Sequence, residues 1–104
     1  MATVYMHDGT KHTVALPQGH KKFCLSHLQD MIDAKSIEPL VNTNAFRPLV
    51  IETGQSLGQF FVFCDEEGLF KYGTSAINKQ IGYRDNQADW PIGPVAVVPK
   101  KYIE

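Results

Sequence analysis

Apolar and polar residues alternate near the start of the chain, in the stretch TVYMHDGTKHTVAL. Such alternation is typical of β-strands that bury one face. A turn at Asp8-Gly9 divides the stretch, and a two-residue turn there would set apolar residues opposite polar ones. A turn of three residues, His7 to Gly9, instead pairs Val4 with His12 and keeps the apolar residues on one side. We therefore predict a hairpin with the longer turn and with Gly9 in a left-handed conformation.

Helical spacing follows the break at Pro17-Gln18-Gly19. The apolar residues that recur every three or four positions are Cys24, Leu25, Leu28, Met31 and Ile32. They predict an amphipathic helix over residues 22–34 that packs on a sheet. A second, shorter helix is predicted over residues 75–81, because Thr74 or Ser75 suits an N-cap and Gly82 follows the end.

The remaining strand signals are short runs rich in β-branched and aromatic residues: SIEPL, RPLVIETG, QFFVFC and PVAVV. Pro39 limits the first of them to a short strand or an extended connector. Phe60 to Phe63 is apolar at every position, which predicts a central strand covered on both faces. Together these elements predict an α+β fold: an antiparallel or mixed sheet of about five strands, one amphipathic helix packed on a face, and a second short helix.

Size and charge restrict the functions that we expect. A chain of 104 residues supports one modest core, so we expect a single domain over residues 1–104. Ten Lys and Arg residues against eleven Asp and Glu give a net charge of -1, and no global field attracts nucleic acid or an anionic membrane. No signal peptide is apparent, and no apolar run approaches the ~20 residues that span a bilayer. A cytoplasmic protein is expected, with no membrane and no nucleic acid among its partners.

Three adjacent carboxylates in the stretch FFVFCDEEGLFKYG raise the question of a catalytic or metal site. Asp65 and Gly68 occupy the first and fourth positions of a type I turn between two strand-like segments. The tip of a hairpin leaves Asp65, Glu66 and Glu67 ionised in water, whereas a catalytic pair needs a cleft. We therefore predict solvated turn carboxylates and a Gly68 that needs a positive φ.

Histidines and cysteines complete the search for chemistry. His7, His12, His20 and His27 show no metal-binding spacing. Cys24 and Cys64 lie far apart without a CxxC motif, and we predict two buried free thiols whose apolar contexts raise their pKa. No catalytic residue, metal site or cofactor is predicted, and the protein is expected not to be an enzyme.

Two sets of residues are candidates for binding. Gly19, His20, Lys21 and Lys22 stand at the start of the predicted first helix, where the dipole disfavours cations. Either the charges are merely tolerated there, or they form an anion-binding site with the helix N–H groups. Tyr83, Arg84 and Trp90 lie in a segment that we predict to be a long irregular loop, and they are of the types that anchor protein partners. The alternative is that Trp90 folds back to seal the core.

The order of three segments, LQDMIDAKSIEPL, FFVFCDEEGLFKYGTSAINKQI and PIGPVAVVP, resembles a family of small uncharacterised domains catalogued as domain of unknown function 3846. Its members are common in phages, plasmids and other mobile elements. The resemblance covers residues 28–99, although the connection at 83–89 is longer than the family pattern suggests. It implies a compact α+β domain of mobile-element origin and assigns no catalytic residue.

Two functions are open from the sequence. The first is a non-enzymatic phage or mobile-element accessory protein that binds a host protein or complex in the host cytoplasm, for example to inhibit a host defence system. The second is a protein that binds or sequesters a nucleotide or another anionic metabolite, with the phosphates at Gly19, His20, Lys21 and Lys22.

Overall fold

The structure is a computed structural model that describes residues 2–40, 60–78, 80 and 91–104. These residues form a five-stranded antiparallel sheet and two helices, so the predicted α+β fold is confirmed. The strands are β1 (Ala2–Tyr5), β2 (Lys11–Val14), β3 (Ile37–Pro39), β4 (Phe60–Asp65) and β5 (Val95–Pro99). The helices are α1 (Leu25–Met31) and α2 (Gly68–Tyr72), and single 3₁₀ turns cover Thr74–Ala76 and Lys100–Tyr102.

The strands lie in the order β2-β1-β5-β4-β3. The last strand in the sequence is thus the central one, and Val97 pairs with Thr3 on one side and with Val62 on the other. The predicted buried strand PVAVV is therefore confirmed. β4 is paired on both edges, by β5 and by β3, as expected of an apolar run. The short strand at SIEPL is also confirmed, with Pro39 on the edge of the sheet.

The first hairpin has the predicted register. Val4 pairs with His12, and the Met6 N–H donates to the Thr10 carbonyl at 2.8 Å across a three-residue turn. Gly9 has a φ of 94°, a left-handed conformation that glycine adopts without strain. The alternation of apolar residues was sufficient to predict this register because a hairpin is a local structure.

Both faces of the sheet are apolar because successive side chains of a strand point to opposite sides. One face, together with α1 and its flanks, forms the larger core, made of Ala2, Val4, Phe23, Leu28, Ile32, Ala34, Phe63, Ala96 and Val98. The other face carries a second cluster of Tyr5, Val62, Cys64, Val95 and Val97. The prediction that β4 is covered on both faces is confirmed, since Phe63 and Val62 belong to different clusters.

α1 is shorter than the predicted range 22–34. Phe23 forms a bridge with Ile103 and donates its N–H to the Tyr102 carbonyl at 2.6 Å, which holds it extended just before the helix. At the other end Asp33 has a φ of 52° and leaves the helical conformation. The predicted apolar stripe is wrong at Leu25, whose side chain is 59% exposed.

The second predicted helix, over residues 75–81, is wrong for residues 75–78, and part of the remainder lies outside the described residues. The main chain of residues 76–78 pairs with residues 91–93 instead of with itself. Ile77 forms an antiparallel bridge with Ile92, and the Asn78 N–H donates to the Pro91 carbonyl at 2.8 Å. The helix lies earlier, at α2, where a strand was expected after the acidic turn. The strand predicted in RPLVIETG lies outside the described residues.

Two amide side chains join the first hairpin to the segment that leads into β5. Asn78 is fully buried, and its Nδ2 donates to the carbonyls of Tyr5 at 2.7 Å and Gly93 at 2.9 Å. The Gln80 Nε2 donates to the carbonyls of Met6 at 2.7 Å and Thr10 at 2.6 Å. These bonds add side-chain links between the hairpin and residues 78–93, and they give the buried Asn78 amide its hydrogen-bond partners.

Candidate functional site

The acidic turn after β4 is built around a buried carboxylate. The Asp65 side chain is 2% exposed, so the prediction of a solvated carboxylate is wrong for this residue, whereas Glu66 and Glu67 are exposed as predicted. Its Oδ1 accepts the Glu67 N–H at 2.9 Å, and its Oδ2 lies 3.4 Å from the Lys71 Nζ. Burial is possible because the chain turns into a helix that brings a lysine back over the carboxylate.

Lys71 joins three parts of the chain. Its Nζ contacts Asp65, donates to the main-chain carbonyl of Asp33 and lies 3.7 Å from the Asp33 Oδ2. Burial lowers the pKa of Lys71, but Tyr72, Asp33 and Asp65 outweigh it, so that the pKa is raised overall. The ammonium group stays charged and ties the end of α1 to α2. Because the Asp65 carboxylate is buried and in contact with Lys71, we interpret the two residues as a structural ion pair.

Gly68 is required for space, and the prediction of a positive φ is wrong. Among the described residues, the glycines with positive φ are Gly9, Gly19, Gly73 and Gly93, and Gly68 is not one of them. A Cβ atom at Gly68 would lie 2.6 Å from the Ile92 carbonyl oxygen, a distance that no side chain tolerates without a shift of the backbone. α2 therefore begins in close contact with the strand connection before β5.

α2 presents an exposed apolar pair. Phe70 is 90% exposed and Leu69 is 51% exposed. Glu66 and Glu67 directly precede α2, four and three residues before Phe70, and both are exposed. We call Glu66, Glu67, Leu69 and Phe70 the α2 surface. Large exposed aromatic side chains are typical anchors of protein interfaces.

Sequence reasoning missed this surface because the segment was taken for a strand. One local signal favoured a helix: Glu67 and Lys71 are four residues apart, as in helical pairs of opposite charge. The Lys71 N–H indeed donates to the Glu67 carbonyl at 3.0 Å, which is the first helical hydrogen bond. The exposure of Phe70 follows from the tertiary structure alone.

A groove of about 340 Å³ lies between β2 and α1. We call it the β2–α1 groove, and its lining residues are His12, Val14, Ala15, Pro17, Phe23, His27, Asp30 and Met31. The lining is mainly apolar, with two imidazoles and one carboxylate. Its volume lies near the lower end of the range of small-molecule pockets and suits a small ligand or a single large side chain.

The predicted anion-binding residues lie beside this groove. Gly19, His20, Lys21 and Lys22 are all exposed, and Lys22 directly precedes the groove residue Phe23. The His20 ring packs edge-on against His27, with 4.9 Å between ring centroids. Because α1 begins only at Leu25, the lysines precede the helix and are not part of its first turn. Anion binding at these four residues stays a prediction and would depend on their side chains.

Cys24 differs from its predicted character as a buried thiol with a raised pKa. It is half-buried at the N-cap of α1, with its Sγ 3.1 Å from the Ser26 Oγ and 3.3 Å from the His27 Nδ1. Hydrogen bonds from the Ser26 hydroxyl and then from the His27 main-chain N–H lower the pKa of the Cys24 thiol. The prediction is wrong for Cys24 because its position at the helix start supplies polar partners.

Cys64 behaves as predicted. It is a free, buried cysteine on β4, and burial raises the pKa of its thiol to about 12, with smaller contributions from Glu38 and Asp65. Such a thiol is inert until the surrounding structure opens. The two cysteines of this chain therefore differ in accessibility and in acidity.

The other predictions about sites have separate outcomes. Tyr83, Arg84 and Trp90, the predicted partner-binding residues, lie outside the described residues, so that both alternatives for Trp90 stay open. Within the described part of the chain, no group of three or more His, Cys, Asp or Glu residues is arranged to hold a metal ion. Among the same residues, no helix has the length and apolar character needed to cross a bilayer.

Comparison with known proteins gives no match: no family model, no curated protein and no solved structure matches this chain. The resemblance to domain of unknown function 3846 therefore stays a prediction. The α2 surface and the β2–α1 groove are the two features of the described residues on which a function can be argued.

Proposed function

We propose that this protein acts by binding a protein partner through the α2 surface, as a non-enzymatic accessory protein of a phage or other mobile element. The supporting observation is Phe70, a large aromatic side chain that is 90% exposed on the short helix α2. Covering such a side chain contributes about 1.5–3 kcal/mol of hydrophobic free energy. In measured protein interfaces a few buried anchor residues, many of them aromatic, carry most of the binding energy.

The support of α2 favours a preformed interface. Asp65 and Lys71 fix the turn before and within the helix, and Gly68 packs directly on the Ile92 carbonyl. An anchor held in this way loses little conformational entropy when it binds, so that more of the contact energy appears as affinity. Phe70 is therefore better suited to recognition than an exposed aromatic residue on an unsupported segment.

The charges around Phe70 indicate the chemistry of the partner. Glu66 and Glu67 are exposed beside the apolar pair, so the complementary surface is an apolar pocket bordered by Lys or Arg. Blocking such a pocket on a host protein, for example in a defence system, needs occupation only and no catalysis. This agrees with a candidate site in which the buried carboxylate is held in a structural ion pair.

Capture from extracts of candidate host cells tests the proposal. Tagged wild-type protein, Phe70→Ser and Leu25→Ser are compared, the last as a matched control because Leu25 is also an exposed apolar residue. We expect a specific host protein to bind the wild type and Leu25→Ser and to be lost from Phe70→Ser. Thermal unfolding verifies that all three are folded. Equal capture by Phe70→Ser, or no protein enriched over the tag alone, would contradict the proposal.

A second candidate function is binding of a small anionic ligand such as a nucleotide. The supporting observation is the β2–α1 groove with His20, Lys21 and Lys22 exposed next to it. Ligand binding to the native state raises its stability, so the melting temperature should rise with the correct ligand. A panel of nucleotides and anionic metabolites is screened against the wild type and Lys21→Gln/Lys22→Gln. A shift present in the wild type and lost in the double variant would favour this function.

A further inference from the structure

We infer that, in the isolated protein, the α2 surface of one copy docks into the β2–α1 groove of a second copy, with Phe70 as the inserted side chain. The inference rests on the proposed function, since it uses the same apolar pair, Leu69 and Phe70. It identifies a second copy of the chain as the partner of this pair when no other protein is present. Phe70 is 90% exposed and so does not fill the groove of its own chain. Each copy thus offers one anchor and one groove.

The groove suits an aromatic ring. Its apolar lining consists of Val14, Ala15, Pro17, Phe23 and Met31. His12 and His27 add two imidazole rings, and aromatic rings pack favourably in edge-to-face or offset arrangements. A volume of about 340 Å³ accommodates one such side chain with part of its neighbour Leu69.

Charge complementarity specifies the orientation. The anchor is flanked by the exposed residues Glu66 and Glu67, and the exposed residues Lys21 and Lys22 directly precede Phe23 at the groove. Docking therefore brings an acidic edge towards a basic one, which favours encounter in this orientation. Two acidic residues at the groove oppose this pairing: Asp30 in its lining, and Glu104, whose main-chain N–H donates to the Phe23 carbonyl. On the anchor, Lys71 directly follows Phe70, so the favourable charge pairing is confined to the edges.

The alternative self-contact, between the α2 surfaces of two copies, is disfavoured. A two-fold contact of this type would set Glu66 and Glu67 against their own equivalents, and like charges across an interface repel. The anchor and the groove are different surfaces of the chain, so the contact that we infer is head-to-tail. Head-to-tail contacts close into rings or extend into open chains, and their extent depends on protein concentration.

Sedimentation velocity over a concentration series tests this contact. We expect the mean sedimentation coefficient of the wild type to rise with concentration, and to rise more at low salt because the edges carry opposite charges. Phe70→Ser should remain a monomer because it lacks the anchor. Ala15→Glu should also remain a monomer, since it places a carboxylate in the groove at an exposed position where the fold tolerates it. Leu25→Ser is the control and should behave as the wild type.

Mixing the two defective variants gives the decisive result. Phe70→Ser keeps its groove and Ala15→Glu keeps its anchor, so the mixture should form a one-to-one complex and nothing larger. A second pair, Glu66→Lys/Glu67→Lys and Lys21→Glu/Lys22→Glu, should likewise fail to associate alone and should associate when mixed. This second pair leaves Phe70 in place, so it is independent of any effect of that substitution on folding.

Three results would overturn the inference: a wild type that is a monomer at its highest soluble concentration, association that persists in Phe70→Ser, or no complex in either mixture. None of these concerns host capture, which is a separate assay. A monomeric wild type with Phe70-dependent capture retains the proposed function and removes the second copy as occupant. Phe70-dependent self-association together with host capture that does not depend on Phe70 retains the inferred contact and contradicts the proposed function.

Discussion

Two turns of this protein make the same local contact in different surroundings. In the β1–β2 turn, the Asp8 Oδ1 accepts the Thr10 N–H at 2.9 Å. In the turn between β4 and α2, the Asp65 Oδ1 accepts the Glu67 N–H, also at 2.9 Å. Asp8 is exposed, whereas the Asp65 side chain is 2% exposed and meets Lys71. In both turns an aspartate side chain accepts the N–H of the residue two positions later. The tertiary structure around the aspartate decides how much this hydrogen bond contributes to stability.

The glycines of the two turns differ in the same way. Gly9 needs its left-handed φ of 94° but has open space around it. Gly68 has no such φ, yet the Ile92 carbonyl leaves no room for a Cβ atom. One glycine is required by local conformation and the other by packing. The first turn is thus a local structure on the surface, while the second is part of the connection between α1, α2 and β5.

Replacing Asp65 should have the largest effect. Asp65→Ala removes a buried hydrogen bond and the nearer of the two carboxylates that contact Lys71, so we expect a loss of about 2–3 kcal/mol in the free energy of unfolding. Urea denaturation measures it. Asp8→Ala is the matched control and should lose much less, because water replaces its bonds. Equal losses at the two positions would show that the burial of Asp65 carries no extra energy.

The thiol of Cys64 reports on the same turn. Cys64 directly precedes Asp65 and is buried, so iodoacetamide should label it only when this region opens. In Asp65→Ala we expect labelling to accelerate on the order of tens-fold, since 1.4 kcal/mol corresponds to a factor of ten. Cys24, which is half-buried and has a lowered pKa, should react in the folded protein at an unchanged rate. Single-cysteine variants followed by mass spectrometry separate the two sites. An unchanged rate at Cys64 would mean that the turn does not control this opening.

Substitution of the two glycines should separate conformation from space. Gly68→Ala should cost about 1–3 kcal/mol because the backbone must shift away from the Ile92 carbonyl. Gly9→Ala should cost about 1–2 kcal/mol through its left-handed φ. Asparagine tolerates that conformation, so Gly9→Asn should recover part of the loss, while Gly68→Asn should recover none. Thermal unfolding of the four variants gives the order, and recovery at position 68 would refute the packing explanation.

The smallest effect concerns the pH dependence of the first turn. Hydrogen bonds from the Thr10 hydroxyl and then from the Thr10 N–H lower the pKa of the Asp8 carboxyl. Because the folded pKa is below the unfolded one, this contribution to stability is present above the unfolded value of about 3.9 and is lost as pH falls through the folded value. Thr10→Val should raise the pKa of Asp8, as measured by NMR titration. No change would indicate that the hydroxyl bond is absent in solution.

The features that could be predicted from the sequence are those set by local structure, and the features that could not are those set by tertiary contacts. The β1–β2 register, β5 and the apolar β4 were accessible because alternation and turn chemistry act over a few residues. The length of α1 was not, since Phe23 is held by Tyr102 and Ile103 at the far end of the sequence. The α2 surface was not predicted because a strand was expected after Asp65. The chain forms α2 there instead, and Phe70 is exposed on this helix. The anion-binding residues were placed at a helix start that lies three residues further along.

The position of β5 has a consequence for synthesis of the chain. β1 is made first, but its neighbour on one side is the last strand, with Thr3 paired to Val97. A ribosome therefore makes β1, β2, β3 and β4 before the strand that joins them, and the sheet cannot close until β5 has been made. Sheets with such non-local pairing fold slowly, and their open strand edges invite other chains. We expect the nascent protein to depend on chaperones until β5 has been inserted at the centre of the sheet.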